Sequence, residues 1–475
     1  MLLEIVACVS IIVIALLARL SWWRQRCNQL IPNVQFSFFN PLGAVMDYDG
    51  FEISGKKYAV HLGLLSAFRK WSNTFREYPL FCTWITYAPF ILIHKSEAVK
   101  DLVQVKKIFK RVGFITSFNQ FAAKAFLLVT EPSGKIEGSC SPLASRATCS
   151  RATSPSSTST RTSSMHYGVN IGALENESKQ YVEALHRSLD LGMARVLKFW
   201  QWPNLFYWNS NTGKGAANHL KVVHDFSRTI IEDRKRRYLN GEKADDSSKY
   251  KSLLEVLLKL HIEDQALDEK GVRQEVDTFI VALQATIKWA LYMIGHHPEV
   301  QEKIHQEVDS VLEGNGDKPL SVDDLSDLKY LDCVLKECNR IYPSVPLFGR
   351  HIFEETKIFY NIETLAFSRW LYRTQRSFRY CDDVLPAQRR RYFPDPEKFD
   401  PDRFLPENKQ NIPEFAYVPF GAGPRNCVGR WFGEMEVKTM VCHILRNFSI
   451  HSLDSRRQSV AGHEPHSPVV AARSH

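Results

Sequence analysis

The stretch AYVPFGAGPRNCVGRWFGEMEVKTMVCHILRNF, residues 416 to 448, decides how the chain is read. Before Cys427, Gly421, Gly423 and Pro424 forbid regular structure; after it, apolar residues at 428, 431, 432, 435, 441, 445 and 448 follow a helical period. Cys427 therefore falls on a glycine-rich turn at the mouth of a helix. Free backbone N–H groups and the helix dipole favour the thiolate at such a position, so the sequence predicts a lowered thiol pKa.

A thiolate so placed suits the fifth ligand position of a haem iron, where it pushes electron density onto the metal. Phe420 would shield the sulfur, Gly423 and Gly429 would admit the porphyrin closely, and Arg425 would pair with a propionate. Five fixed residues in F-x-x-G-x-R-x-C-x-G, each at roughly 5% usage, coincide by chance in about one chain of this length in ten thousand. An ordinary loop before a buried cysteine is thus a weak alternative. The segment resembles the cysteine loop of the cytochrome P-450 superfamily, the haem-thiolate monooxygenases.

Other stretches support the resemblance. In DLSDLKYLDCVLKECNR, Glu337 and Arg340 are three apart and share a helix face, where they can pair. Alone, such a pair is usually solvated. In context, KECNRIYPSVPLFGR resembles the family's K helix and the strand entry after it, and FPDPEKFDPDRF (393 to 404) resembles its aromatic-proline-arginine segment. The resemblance implies that Glu337, Arg340 and Arg403 pair to hold the haem-binding region, and that Arg350 is directed at a propionate. HHPEVQEKIHQEVDSVL, IYPSVPLFGR and FAYVPFGAGPRNC are most similar to the fourth family, the fatty-acid omega-hydroxylase branch.

The oxygen-activating helix departs from the pattern. QEVDTF (274 to 279) opens it and WALYMIGHHPEVQEKIHQEVDSVL continues it, with a break expected at His296-His297-Pro298. Between them stands only IVALQATIK, about one helical turn short of the family. The missing turn carries an acid-threonine pair that relays protons. Thr286 is the candidate for that catalytic role here, with Gln284 the other polar residue nearby.

Two further stretches depart. Between Ser139 and Ser164, 15 of 26 positions are Ser or Thr, which predicts a mobile loop. The middle of NIETLAFSRWLYRTQRSFRYCDDVLPAQRRRYFPDP, within 361 to 390, matches no family strand pair. Both are rich in Arg and Ser, as translation in the wrong frame or a misjoined exon would produce. The tail after His451 is poor in the strand hairpin expected there.

The remaining composition bounds the class. With 475 residues, 44% of them hydrophobic, the chain can bury a large core and is not collagen-like, disordered or disulfide-stapled. Its ten cysteines contain no CxxC, as suits a reducing compartment. The net charge of +9 favours an anionic membrane surface or an acidic protein and designates no nucleic-acid partner. IVACVSIIVIALL, residues 5 to 17, extended towards Trp22, Trp23, Arg24 and Arg26, reads as an N-terminal transmembrane helix with the downstream domain on the cytosolic side.

The expectation is a membrane anchor over 1–25 and a haem domain over 26–475, mainly α with a small β region and the P-450 fold. The resemblance implies haem b, NADPH electrons delivered by a partner reductase, a lipophilic substrate, and a single-pass position in the endoplasmic reticulum membrane. The reaction implied is insertion of one oxygen atom into a C–H bond, including fatty-acid hydroxylation. The competing reading is a membrane-anchored haem protein with impaired or lost oxygen activation. A zinc hydrolase built on His296-His297 or His463-Glu464-Pro465-His466 lacks the H-E-x-x-H helical spacing.

Overall fold

The computed structural model describes residues 2–29, 31–38, 40, 43, 52–53, 56–57, 67–68, 70–85, 88–93, 95–104, 176–197, 201, 203–241, 253–313, 320, 322–345, 347–352, 378–383, 391–423, 426–427, 429–452 and 469–472. Helices dominate: α1 (Leu2–Asn28), α2 (Ser96–Gln104), α3 (Asn176–Leu197), α4 (Asn204–Asn209), α5 (Asn211–Leu239), α6 (Leu253–Ile262) and α7 (Glu269–His296). Then come α8 (Pro298–Leu312), α9 (Val322–Asp327), α10 (Lys329–Ile341), the short α11 (Pro406–Lys409) and α12 (Arg430–Asn447). Strands form β1 (Glu52–Ile53), β2 (Lys56–Lys57), β3 (Leu80–Ile85), β4 (Ala88–Ile93), β5 (Leu347–Ile352), β6 (Phe378–Asp383), β7 (Phe448–His451) and β8 (Val469–Ala472). The expected loop over 139–164 lies outside the described residues.

Helix α7 starts where Asp268 caps it, accepting from the Gly271 N–H at 2.7 Å, and ends at His296. Pro298 then opens α8, a position where its missing N–H costs nothing. The predicted break is therefore present. Helix α10 has no side-chain cap of its own. Instead the Glu307 carboxylate on α8 accepts from the Tyr330 and Leu331 N–H groups, at 2.6 and 2.9 Å, and satisfies its first turn. Ala290 and Ile294 of α7, Ile304 and Val308 of α8, Leu331 and Val334 of α10, and Val441 and Leu445 of α12 share the largest core cluster.

The four-stranded sheet runs β3-β4-β6-β5. The stretch YPLFCTWITYAPFILIHKS, residues 78 to 96, reads as two short strands around a turn, and that hairpin forms, with Leu80 opposite Ile93 and Ile85 opposite Ala88. Alternate residues face two different clusters: Leu80, Cys82, Trp84, Ile91 and Ile93 on one side, Phe81 and Leu92 on the other. FRYCDD, inside the stretch without family pattern, supplies β6, parallel to β4 and antiparallel to β5. The tail is also less barren than its sequence: β8 pairs antiparallel with β7, Ile450 opposite Val470. Gln301 fastens that pair to α8, its amide donating to the Ile450 carbonyl at 3.0 Å and its oxygen accepting from the Ile450 N–H at 2.7 Å.

The N-terminal segment is helical, but the expected transmembrane anchor is not found: no helix among the described residues is long and apolar enough to cross a membrane. From Ile5 to Ala18, between Glu4 and Arg19, lie 14 residues. These span about 21 Å of helix against a hydrocarbon core of roughly 30 Å. Beyond Arg19 the helix turns into the protein, burying Ser21, Arg24 and Cys27 on one face.

Gly43 adopts a left-handed φ of +61°, and a Cβ there would stand 2.3 Å from the Trp84 carbonyl oxygen. Gly43→Ala should destabilise the fold by about 2–4 kcal/mol, from φ strain plus overpacking. Gly241, at φ +85° with nothing within 4 Å of its would-be Cβ, is the contrast. Gly241→Ala should cost only about 1–2 kcal/mol. Urea unfolding of the two variants checks the ordering.

Candidate cofactor site around Cys427

The turn before α12 is built by two glycines with left-handed backbones, Gly421 at φ +67° and Gly423 at φ +74°. The Gly421 N–H donates to the Val418 carbonyl at 2.9 Å, and the Asn426 N–H to the Gly423 carbonyl at 3.0 Å. The Cys427 N–H closes the loop on the Phe420 carbonyl at 2.8 Å. Gly429 occupies the N-cap of α12. The guanidinium of Arg430 lies 5.5 Å from the centre of the Phe420 ring. Cys427 thus stands where the sequence puts it. The buried face of α12 is carried by Val437, Val441, Cys442 and Leu445, whereas Trp431 and Phe448, expected on the apolar face, are exposed.

Cys427 is exposed, while Cys442 is 0% exposed and belongs to the core. The expectation of a lowered thiol pKa is corrected: Cys427 is raised, chiefly because protein on the closed sides of the sulfur withdraws it from water. The Gly429 N–H and Arg430 pull it down and Glu434 pushes it up. The amide effect read from the sequence is real but smaller than the desolvation. A bound metal reverses that balance, since a coordinating thiol is deprotonated by the cation itself. Burial pushes Cys442 up to about 12, in line with an inert core thiol.

Glu337 and Arg340 are both 0% exposed, so the solvated surface pair does not apply. Arg340 grips Glu337 in a fork, Nε to Oε2 at 2.6 Å and Nη2 to Oε1 at 2.7 Å. Its Nη2 also donates to the Lys398 carbonyl at 3.2 Å, and its guanidinium lies 5.2 Å from the Phe393 ring centre. Arg403 approaches, Nε 3.6 Å from Glu337 Oε1, and donates through Nη2 to the Asp395 carbonyl at 3.1 Å. The sequence could not show the third hydrogen-bond donor, the Asp400 N–H, which reaches Glu337 Oε1 at 3.0 Å. Burial pushes the Glu337 carboxyl up, and Arg340, the Asp400 amide and Arg403 oppose it.

Thr286 and Ser344 share a hydrogen bond between their hydroxyls, and one turn further along α7 Trp289 stacks on Tyr342 at 4.0 Å and 4°. Both contacts tie α7 to the segment entering β5. The candidate proton-relay threonine is therefore engaged as a latch. The side chain of Gln284, those of the other residues 278–285, that of Arg350, and the whole of Arg425 lie outside the described residues. The Arg350 backbone is in β5, opposite Tyr380.

His296 and His297 spend their Nδ1 atoms on the Tyr292 and Met293 carbonyls, and no group of three or more His, Cys, Asp or Glu able to hold a metal exists among the described residues. His463 and His466 lie outside them. Among the described residues the exposed thiols are Cys8, within α1, and, on the glycine turn, Cys427. The latter fits a metal that brings its other ligands in a macrocycle, as haem iron does.

The family model for Cytochrome P450 matches residues 156–360 and 387–467. The chain belongs to the cytochrome P450 family. The unmatched interval between the two blocks coincides with the patternless stretch around 361 to 390. Among curated proteins, cytochrome P450 4V2 of Rattus norvegicus is 38% identical over 313 residues, covering 61% of this chain and 56% of the relative. Cytochrome P450 4V2 of Homo sapiens is 38% identical over 307 residues, with the same shares, and cytochrome P450 4c3 of Drosophila melanogaster is 32% identical over 312 residues, again 61% and 56%. The chain thus spans little more than half the length of these relatives. All carry fourth-family names, in agreement with the resemblance read from the sequence. The cofactor the P450 family implies is haem b. Cys427 would ligate its iron, Phe420, Gly423 and Gly429 would frame it, and Glu337, Arg340 and Arg403 would stiffen the segment before it.

Proposed function

We propose that the chain is a haem-thiolate monooxygenase that inserts one atom of O2 into a C–H bond of a lipophilic substrate, with fatty-acid hydroxylation the favoured case. The observation that carries this is the exposed Cys427 thiol on the glycine turn before α12, in a chain of the P450 family. When bound, haem b supplies oxygen activation. The protein supplies a soft ligand at Cys427, a loop held by Gly421 and Gly423, and the Glu337–Arg340–Arg403 network that fixes the chain beneath it. Electrons come from NADPH through a partner reductase, whose acidic face suits the +9 charge.

We place the protein at the endoplasmic reticulum membrane with its domain towards the cytosol. The support is the exposed apolar surface of α1, with Ile11, Ile12, Ile14 and Leu16 each more than half exposed. That apolar surface leaves water when it meets lipid.

A second reading, a haem protein with impaired oxygen activation, is favoured by one observation: the Thr286 hydroxyl is already bonded to Ser344. The two readings separate when NADPH consumption with reductase is compared with product formed from a fatty acid. A monooxygenase gives product in proportion to NADPH consumed. Consumption ending only in peroxide assigns the second reading, and Thr286→Ala should then leave the ratio unchanged.

A further inference from the structure

The end of α1 is bound into the domain in a way a tether does not require. Arg24, 2% exposed, donates through Nη2 to the Ser37 and Phe38 carbonyls at 3.1 and 3.5 Å. Trp23 sets its ring edge-on to Trp84, 5.2 Å between centres, and the Trp84 indole N–H donates to Asn28 Oδ1 at 2.7 Å. Cys27 and Trp84 belong to one buried cluster, and the residues packed on it from outside include Trp23, Phe415 and Ala422.

Ala422 sits between the two left-handed glycines of the cysteine turn, five residues before Cys427, and the Cys427 N–H is hydrogen-bonded to Phe420, two residues before Ala422. From α2, Lys100 adds an ion pair to Glu414 at 2.9 Å, just upstream of Phe415. The same apolar cluster therefore touches both the end of α1 and the cysteine turn.

We propose that the last two turns of α1 are a brace for the cysteine loop, with Trp23 a positioning residue that acts on Cys427 through the Trp84 cluster and Ala422. The inference rests on the reading of Cys427 as the haem ligand. Packed interiors transmit displacement because they contain few voids, so loosening the cluster frees the loop to swing and weakens the iron–sulfur bond.

The test uses the full chain loaded with haem, as wild type and as Trp23→Ala, Trp23→Phe, Ala422→Gly and Trp22→Ala. Trp22 is 53% exposed, with Arg26 stacked on its ring, and serves as the neighbouring control. The readout is the rate at which the reduced carbon monoxide complex loses its thiolate-type Soret band in sub-denaturing urea, with helicity followed in parallel. Trp23→Ala and Ala422→Gly should accelerate the loss on the order of tenfold, the scale of one lost packing contact. Trp23→Phe and Trp22→Ala should stay within about twofold. A wild-type rate in Trp23→Ala overturns the brace whatever Ala422→Gly does; so does a rate change that merely tracks loss of helix. If Trp23→Ala fails to fold, Ala422→Gly decides alone. A wild type lacking the thiolate band sinks the reading of Cys427 instead, so the two failures are distinct.

Discussion

Cys427→Ala is expected to abolish the thiolate signature of the reduced carbon monoxide complex while leaving the fold intact, because the side chain it removes is exposed and outside the core. Cys442→Ala should do the reverse. Its thiol is buried within α12 against the main cluster, so truncation leaves a small cavity at a cost of about 1–2 kcal/mol and keeps the spectrum. The two cysteines lie on one short segment and share a residue type, which makes the crossed outcome informative. Spectra and thermal unfolding of both variants check it. Retention of the thiolate band in Cys427→Ala removes the axial assignment.

Arg340→Leu should be the most destabilising single substitution in the chain's C-terminal half. Removing the guanidinium strands the Glu337 carboxylate in a site with no solvent exposure, with only the Asp400 amide and the more distant Arg403 left to face it. Breaking a buried pair in this way costs about 3–5 kcal/mol. Glu337→Gln keeps the shape and an acceptor oxygen, so about 1–3 kcal/mol is expected. Glu337→Leu combined with Arg340→Leu should cost less than the sum of the single changes, because neither charge is then stranded. Urea unfolding monitored by circular dichroism measures all four. Haem content should fall in the same order, since the network joins α10 to residues 395–403, ahead of the cysteine turn.

What could be read beforehand was local. The hairpin at 80–93, the break before Pro298, the i,i+3 relation of Glu337 to Arg340 and the turn at Cys427 are all set by residues within a few positions of each other. The misses are long-range. Arg24 reads as a flanking charge of a membrane span, yet it is buried because carbonyls 13 and 14 residues on accept its protons. FRYCDD carries no alternation worth assigning, yet it fills the gap between β4 and β5, whose edges need a partner. The dipole acting on Cys427 could be anticipated from the helix after it, whereas the larger desolvation comes from how the rest of the chain folds around the sulfur. The Asp400 donor is a backbone N–H and leaves no mark on the sequence, and Ser344 is 58 residues from the threonine it engages.

The central claim is a thiolate from Cys427 on haem iron, and the most direct measurement is the difference spectrum of the 475-residue chain, reconstituted with haem, reduced and exposed to carbon monoxide. A red-shifted Soret band, with one haem per chain, is the predicted result. A haem complex that shows only the band of a nitrogen-ligated or thiol-free iron, or a folded chain that takes up no haem, contradicts it.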